Sequence, residues 1–345
     1  MMTETLNERE RRVLEAVVQS YVETAEPVGS RTIARRFGLG VSAATIRNAM
    51  SDLEEKGYLF HPHASAGRVP TDRAYRLYVD ALMGSPQLSV VERRAIRDGL
   101  HAEGTTITEI LRRAAEVLGV LSQELGVAVA PSLDATVLER LDLVTVAADR
   151  LLLVLTLRSG VVRTIFVHVP GFLSPDAVAN VTVVLNERLG GLTLREIRGT
   201  LGERLRDSLP GVAEAELLDI FLATGDQIFD VPAAAEEQVV LGHTSVLADQ
   251  PEFASGDRMR SLIALTEQRD VLRRVLGQRA QAGALTITIG GENEPQLSQL
   301  TLVTSPYRAG ALTGVIGVLG PTRMPYEKII ALVEHTSKMV GDLLR

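Results

Sequence analysis

Apolar residues near the start of this 345-residue chain recur at the spacing of an amphipathic helix in three successive segments. The first segment begins after Asn7, which can cap a helix together with Glu10 three residues further on. The second begins at Ser30, and Gly38-Leu39-Gly40 separates it from the third, which begins at Ser42. The pattern predicts three helices, with a glycine-containing turn between the second and the third.

A change of period follows the third helix. Gly57 stands where a left-handed residue usually ends a helix, and two short strands, in YLFHPH and RVP, flank the turn at Ala64–Gly67. Thr71 or Asp72 can cap a further helix, and Gly84-Ser85-Pro86 then forms a linker. Helices, a glycine turn, a longer helix and a two-stranded hairpin follow one another in the order of a winged helix-turn-helix module.

Beyond the linker, helical and strand-like segments alternate. Two helices are predicted near residues 89–100 and 105–125, then three antiparallel strands in LERLDLVTVA, RLLLVLTLRSG and VVRTIFVHV, and a helix near 174–189. Short helices at 190–256, a long helix near 257–282, strands near 285–289, 299–304 and 311–319, and a closing helix from Pro325 complete the pattern. Strands, a helical excursion and strands again predict one α+β domain interrupted by an insertion.

The composition excludes several classes of protein. The chain has no cysteine, which rules out disulfides, thiolate metal sites and cysteine nucleophiles. Its polar start, MMTETLNERERR, is unlike a signal peptide, and its longest apolar run, at 151–157, is far shorter than the roughly 20 residues of a membrane helix. We therefore expect a soluble, cytoplasmic protein with no membrane partner.

Charge is distributed unevenly along the chain. The formal net charge is −7, yet Val28–Arg76 contains eight basic and four acidic residues, so this segment carries +4 and the remainder −11. A locally basic N-terminal module on an acidic body is compatible with DNA binding, because phosphates act over about a Debye length.

Motifs of enzymes and metal sites are weak in this sequence. Gly38–Ala43 matches G-x-G-x-x-A but follows a predicted helix instead of a strand, and His63–Gly67 resembles a nucleophile elbow but lies in a hairpin. His61 and His63 have no obvious third ligand. Gly290–Asn293 and Gly320–Arg323 are interpreted as turns at strand ends. We expect no enzyme activity, no cofactor and no metal.

The helix that begins at Ser42 has two different faces. At 100° per residue, its apolar side chains cluster on one side, whereas Ala44, Arg47, Asn48 and Ser51 lie on the other with Thr45 at the edge. Arg and Asn can form bidentate hydrogen bonds with guanine and adenine, and Ala can contact a thymine methyl group. The acidic C-terminal part of the helix would be repelled by phosphate, so the N-terminal half is expected to enter the major groove.

These considerations define a candidate DNA-binding surface. Ser42, as N-cap, presents backbone amides to a phosphate, and in the hairpin Gly67 permits a close backbone approach while Arg68 supplies charge. The complete set of expected DNA-contacting residues is Arg31, Ser42, Ala44, Thr45, Arg47, Asn48, Ser51, Ser65, Gly67, Arg68 and Arg73.

Several long segments resemble one known family. LNERERRVLEAVVQSYVETAEPVGSRTIARRF, SAATIRNAMSDLEEKGYL and HASAGRVPTDRAYRLYVD, with IGGENE and GVIGVLGPTRMPYEKIIALVEHTSKMV near the C-terminus, are similar to the motifs of the heat-inducible transcription repressor family HrcA. The resemblance covers essentially the whole chain. It implies an α+β multidomain fold with a winged helix-turn-helix domain at 1–84, a GAF-like domain with an antiparallel sheet at 85–189 and 257–345, and a mostly helical inserted dimerisation domain at 190–256.

The resemblance also implies a function. Family members repress heat-shock (chaperone) operons by binding, as homodimers, to an inverted-repeat operator in double-stranded DNA, and the GroE chaperonin supports their activity. Three other functions remain open from the residues alone: a repressor that senses a small molecule through the GAF-like domain, a DNA-tethered enzyme, and an adaptor whose winged helix binds protein.

Overall fold

The computed structural model of the chain describes residues 6–63, 66–84, 87–101, 106–131, 133, 136–158, 160–171, 173–206, 212–229, 239–248, 250–267, 269–280, 282–309 and 312–344. It divides into two compact units. The first comprises Met1–Ala130, Val239–Tyr307 and Gly314–Leu344, and the second comprises Pro131–Gln238 with Arg308–Thr313.

The first unit begins with the predicted winged helix-turn-helix module. Its elements are α1 (Glu8–Thr24), α2 (Ser30–Arg36), α3 (Ala43–Glu55), β1 (Leu59–Phe60), β2 (Val69–Pro70) and α4 (Asp72–Leu77), which a π-helical turn extends over Tyr78–Leu82. Asn7 and Glu10 form the predicted capping box of α1, whereas the N-cap of α2 is Gly29 instead of Ser30. β1 and β2 pair antiparallel, and we call this hairpin, residues 59–70, the wing.

A five-stranded sheet forms the rest of the first unit together with helices. The strands are β3 (Leu125–Val129), β7 (Val239–Leu241), β8 (Thr286–Ile289), β9 (Leu300–Ala309) and β10 (Leu312–Pro321), in the spatial order β7-β3-β10-β9-β8. The helices are α5 (Val90–Leu100), α6 (Ile107–Ser122), α10 (Ser245–Ala248), α11 (Gly256–Glu267), α12 (Arg269–Ala280) and α13 (Tyr326–Leu343). One continuous hydrophobic core includes side chains of α1, α3, α6 and α13.

The second unit has its own sheet and its own core. β4 (Leu138–Ala147), β5 (Arg150–Leu157) and β6 (Val162–His168) form an antiparallel sheet in the order β4-β5-β6, as predicted. The helices are α7 (Pro175–Leu189), α8 (Leu194–Arg206) and α9 (Val212–Phe229). Alternate leucines of β5, namely Leu151, Leu153, Leu155 and Leu157, are buried in a core that these helices complete.

The structure differs from the sequence-based organisation in three respects. The helix predicted near 105–125 ends at Ser122, and Leu125–Val129, for which no strand was predicted, is a central strand with all five residues buried. The short strand β7 was not anticipated. The strands at 138–168 lie in the second unit, which spans 131–238 and combines a sheet with helices. The bounds of 190–256 for an insertion stay a prediction. A strand pattern identifies a strand but not the sheet that it joins. The GAF-like and dimerisation assignments stay predictions.

None of the helices in the described part of the chain is long and apolar enough to cross a membrane.

Candidate nucleic-acid interface

The two faces of α3 are separated as the sequence predicts. Ile46, Ala49, Met50 and Leu53 are buried in the core of the module. Ala44, Arg47 and Asn48 are exposed, and Thr45 and Ser51 are partly buried beside them. At the N-terminus, the Oγ atom of Ser42 accepts a hydrogen bond from the Thr45 amide at 3.2 Å, so Ser42 is the N-cap. Burial of one face holds the polar face of the helix towards solvent.

One of the carboxylates at the acidic C-terminal end of α3 has partners within the module. The carboxylate of Glu54 pairs with Arg68 at 2.7 Å and contacts His61. Just beyond, Lys56 donates to both carboxylate oxygens of Glu10, at 2.8 and 2.9 Å. Burial by itself acts to raise the pKa of Glu10, but the hydrogen bonds from Lys56 and the Asn7 amide outweigh it and lower the pKa.

Arg73 is also engaged inside the module. Its Nη1 atom donates to the carbonyl oxygen of Lys56 at 2.7 Å, and its guanidinium lies 4.4 Å from the centre of the Tyr58 ring. The carbonyl of Lys56 lies at the C-terminal end of α3, where helical carbonyls lack intrahelical partners and where a cation is favoured. Arg73 thus stabilises the end of α3 from α4.

Packing within the protein requires glycine at position 67. Arg68 and Val28 exchange two backbone hydrogen bonds of 2.9 Å, which join the wing to the segment between α1 and α2. A Cβ atom on Gly67 would lie 2.5 Å from the carbonyl oxygen of Pro27, closer than real Cβ contacts allow. The close backbone approach observed at Gly67 is therefore to the chain itself, and its approach to DNA stays a prediction.

Seven of the eleven expected DNA-contacting residues fall into two groups. Ser42, Ala44, Arg47 and Asn48 are exposed on the N-terminal half of α3, and Arg31 is exposed at the start of α2. Arg68 and Arg73 make internal contacts. Ser65 lies outside the described residues. Contact with DNA is a prediction for every one of these residues.

Two segments that the sequence analysis interpreted as ordinary turns hold the winged module against the sheet. Arg76 on α4 forms a bidentate ion pair with Glu292, its Nε and Nη2 atoms lying 2.8 and 2.5 Å from the carboxylate oxygens. Its Nη2 atom also donates to the carbonyl of Ile287 at 2.8 Å. Gly291 donates its amide to Asp72 at 2.9 Å, and a Cβ atom on Gly290, which has φ +51°, would overlap the Asp72 carboxylate.

Arg323 makes the second of these connections. Its Nη1 atom donates to the carbonyl of Val22 on α1 at 2.8 Å, while its other nitrogens contact Glu252 at 2.6 and 3.0 Å and Gln250 at 2.8 Å. Burial acts to lower the pKa of Arg323, but the hydrogen bonds and the charge of Glu252 outweigh it and raise the pKa. The contact with Val22 spans 301 positions and those with Glu252 and Gln250 span 71 and 73, so no local sequence pattern predicts them.

Among the residues that the structure describes, no group of three or more His, Cys, Asp or Glu side chains is arranged to hold a metal ion. His61, one of the two histidines considered as a ligand, contacts Glu54 instead.

Comparison with known proteins identifies one family. A family model described as the HrcA protein C terminal domain matches residues 108–330. The heat-inducible transcription repressor HrcA of Chlorobium phaeobacteroides (strain BS1) is 40% identical over 355 aligned positions, covering 100% of both chains. The protein of the same name from Geobacter sulfurreducens is 38% identical over 343 positions, covering 98% of both.

A solved structure has a related fold. The crystal structure of a protein described as hypothetical, at 2.2 Å resolution, covers 99% of both chains with a TM-score of 0.60 and 21% sequence identity. At this identity the match supports the fold alone.

Proposed function

Because the chain belongs to the HrcA family of heat-inducible transcription repressors, with which it aligns over its full length, we propose that it represses transcription by placing α3 in the major groove of an operator. The family is one of transcription repressors, and the chain is accordingly not an enzyme. The observation that carries the proposal is the pair of exposed polar side chains, Arg47 and Asn48, opposite the buried face of α3.

The charges around α3 support docking by its N-terminal half. Arg47 lies in that half, and its side chain has no ion pair or hydrogen bond with another described residue. At the opposite end Glu54 is paired with Arg68, which reduces the repulsion that an uncompensated carboxylate would exert on phosphate. Asp52 and Glu55 at the same end are exposed, so their charge still favours docking by the N-terminal half of the helix.

An inverted-repeat operator requires a two-fold symmetric protein, so the proposal includes a homodimer. The sheet of the second unit supports this part. On the side opposite its core, Leu152 pairs laterally with Val144 and Phe166, and both neighbours are exposed, as is Val162. An exposed apolar sheet face of this kind is typical of a protein interface. With one winged module for each half-site, the half-sites are expected about 10 bp, or a multiple of this, apart.

Support by the GroE chaperonin is part of the same proposal and rests on the family resemblance. During heat stress the chaperonin is occupied by unfolded proteins, the amount of active repressor falls, and the chaperone operons are transcribed. Footprinting on the promoter of a chaperonin operon, with and without the chaperonin, tests this step. A footprint that is insensitive to the chaperonin at limiting repressor concentration contradicts it.

Titration of Arg47→Ala against an operator duplex and a scrambled duplex tests the major-groove contact. Loss of a bidentate contact with guanine is expected to reduce operator affinity by about 1–3 kcal/mol and to relax specificity at one base pair. Affinity for the scrambled duplex should change much less. Equal losses on the two duplexes would exclude a base contact by Arg47.

A cavity favours a second candidate function, a response to a small anionic ligand. The cavity, of about 360 Å³, lies between α5 and α13 and is lined by Arg93, His335, Lys338 and Glu334, among others. Burial lowers the pKa of His335, and the positive charges of Arg93, Lys338 and Arg97 lower it further. A thermal-shift series with phosphorylated metabolites distinguishes this function, since only a ligand-responsive repressor should be stabilised by one of them.

A further inference from the structure

The basic side chains of the winged module divide into those with internal partners and those without. Lys56 pairs with Glu10, Arg36 with Glu23, Arg68 with Glu54 and Arg76 with Glu292. Arg11 donates to the carbonyl of Leu6, Arg35 to the carbonyl of Arg31, and Arg73 to that of Lys56. Within the described part of the module, the arginine side chains without an ion pair or hydrogen bond are Arg9, Arg12, Arg31 and Arg47, although the charge of Arg12 acts on Glu15.

Arg31 and Arg47 belong to the DNA-binding surface defined above, whereas Arg9 and Arg12 do not. They lie three residues apart in the first part of α1, and both are exposed. Residues three apart project from the same side of a helix, so the two guanidinium groups form a local concentration of positive charge.

Arg9 and Arg12 line a cleft of about 460 Å³ between α1 and the turn that precedes α3. Leu39 and Val41 form the opposite wall, and Glu8 contributes one carboxylate to the lining. Val41 is directly followed by Ser42, the N-cap of α3. The cleft therefore lies next to the end of α3 that is proposed to enter the major groove.

This position determines which part of the DNA lies beside the cleft when α3 is in the major groove. The major groove of B-DNA is about 12 Å wide and is bordered on both sides by sugar-phosphate backbone. A helix that inserts its N-terminal half brings the surfaces beside its N-cap close to the bordering phosphates. Arginine is well suited to phosphate because its planar guanidinium donates two parallel hydrogen bonds.

We propose that Arg9 and Arg12 bind the DNA sugar-phosphate backbone beside the half-site that α3 occupies. The inference rests on the proposed function, because it takes the position of α3 in the groove as given. These two side chains have no base edge to contact, so their contribution is independent of sequence. Glu8 opposes the contact, since its carboxylate faces the same phosphates.

The experiment measures the affinity of the full-length protein for an operator duplex and a scrambled duplex over a series of salt concentrations. Arg9→Ala and Arg12→Ala should each weaken binding to both duplexes by a similar factor, roughly threefold to tenfold at low salt. The plot of log affinity against log salt concentration has a negative slope. Each substitution should also reduce the magnitude of this slope by about 0.9, the value for one phosphate contact. Glu8→Gln should strengthen binding to both duplexes.

Arg94→Ala is the matched control, because Arg94 is an exposed arginine on α5 whose ion pair with Asp98 lies within that helix. It removes the same charge and should leave the salt slope unchanged. Unchanged slopes for Arg9→Ala and Arg12→Ala, with a wild-type protein that binds normally, would overturn the inference. A loss confined to the operator duplex would also overturn it, since it would indicate a base contact. If the wild-type protein itself shows no salt-dependent binding to duplex DNA, the proposed function fails instead.

Discussion

Arg68 and Glu54 form an ion pair, with 2.7 Å between the Nη2 atom of Arg68 and the Oε2 atom of Glu54. The pair joins the wing to the C-terminal end of α3, and its side chains are 21% and 26% exposed. Arg68 was expected to bind phosphate, whereas the structure gives it a carboxylate partner. Its charge compensates Glu54 in this arrangement, which is a different contribution to DNA binding from a direct contact.

A double-mutant experiment distinguishes these two contributions. Arg68→Ala is expected to weaken binding to operator and scrambled duplexes alike, because Glu54 is left without a strong partner near the DNA. Adding Glu54→Gln should then restore most of the lost affinity. The measurement is duplex affinity for wild type, both single variants and the double variant at two salt concentrations. If the double variant still binds weakly, and the magnitude of its slope of log affinity against log salt is smaller by about 0.9, Arg68 is instead a phosphate contact.

Substitutions on the two faces of α3 should change the free energy of unfolding to very different extents. Ile46 is fully buried, so Ile46→Ala is expected to cost about 2–5 kcal/mol of unfolding free energy through lost packing and a residual cavity. Arg47 is exposed, and Arg47→Ala should change stability by less than about 0.5 kcal/mol. Urea unfolding followed by circular dichroism measures both. Comparable destabilisation by the two substitutions would show that α3 is oriented differently.

The ion pair of Arg76 and Glu292 should contribute more to stability than an ordinary surface pair. It is bidentate and partly shielded, with side chains 29% and 37% exposed, so a double-mutant cycle with Arg76→Ala and Glu292→Gln is expected to give a coupling of about 1–2 kcal/mol. The exposed pair of Arg94 and Asp98 on α5 serves as the control and should give about 0–0.5 kcal/mol. Equal couplings for the two pairs would contradict a specific attachment of the winged module by Arg76.

Glu124 should make the protein less stable as the pH rises. It is fully buried, and its Oε2 atom has no hydrogen-bond partner among the described residues. Burial, supported by the charge of Glu252 and opposed by Arg323, raises the pKa of Glu124 well above its ordinary value of 4.5. Above pH 4.5 the unfolded state has lost a proton that the folded state retains, so the stability contribution present at lower pH is lost as the pH rises towards the folded pKa.

Glu124→Gln is therefore expected to stabilise the protein at neutral pH and to flatten its pH dependence. The difference from wild type should grow with pH by at most about 1.4 kcal/mol per unit, the limit for one proton. Urea midpoints for the two proteins at several values between pH 5 and pH 8 provide the measurement. Parallel curves would mean that Glu124 is ionised in the folded protein.

The sequence by itself determined the local structure of the winged module. Capping residues such as Asn7 and Ser42, the glycine after α3, and the spacing of Ile46, Met50 and Leu53 depend on neighbours within one or two turns. Such interactions can be interpreted from periodicity because the partners are close in the chain. For the same reason the sequence predicts the polar face of α3, and the structure confirms that Arg47 and Asn48 are exposed on it.

Only the tertiary structure decided which charges are available and which sheet each strand joins. Arg68 and Arg47 are both predicted from the sequence to contact DNA. Only the folded wing brings Arg68 next to Glu54 on α3. Leu125–Val129 directly follows a helix with an apolar end, and its pairing with β7 and β10, more than 100 residues away, makes it a strand. Arg76 likewise finds Glu292 through a separation of 216 residues. These features depend on contacts between segments that are distant in the chain. Such contacts stabilise the structure only once the chain is folded, so a local sequence pattern does not predict them.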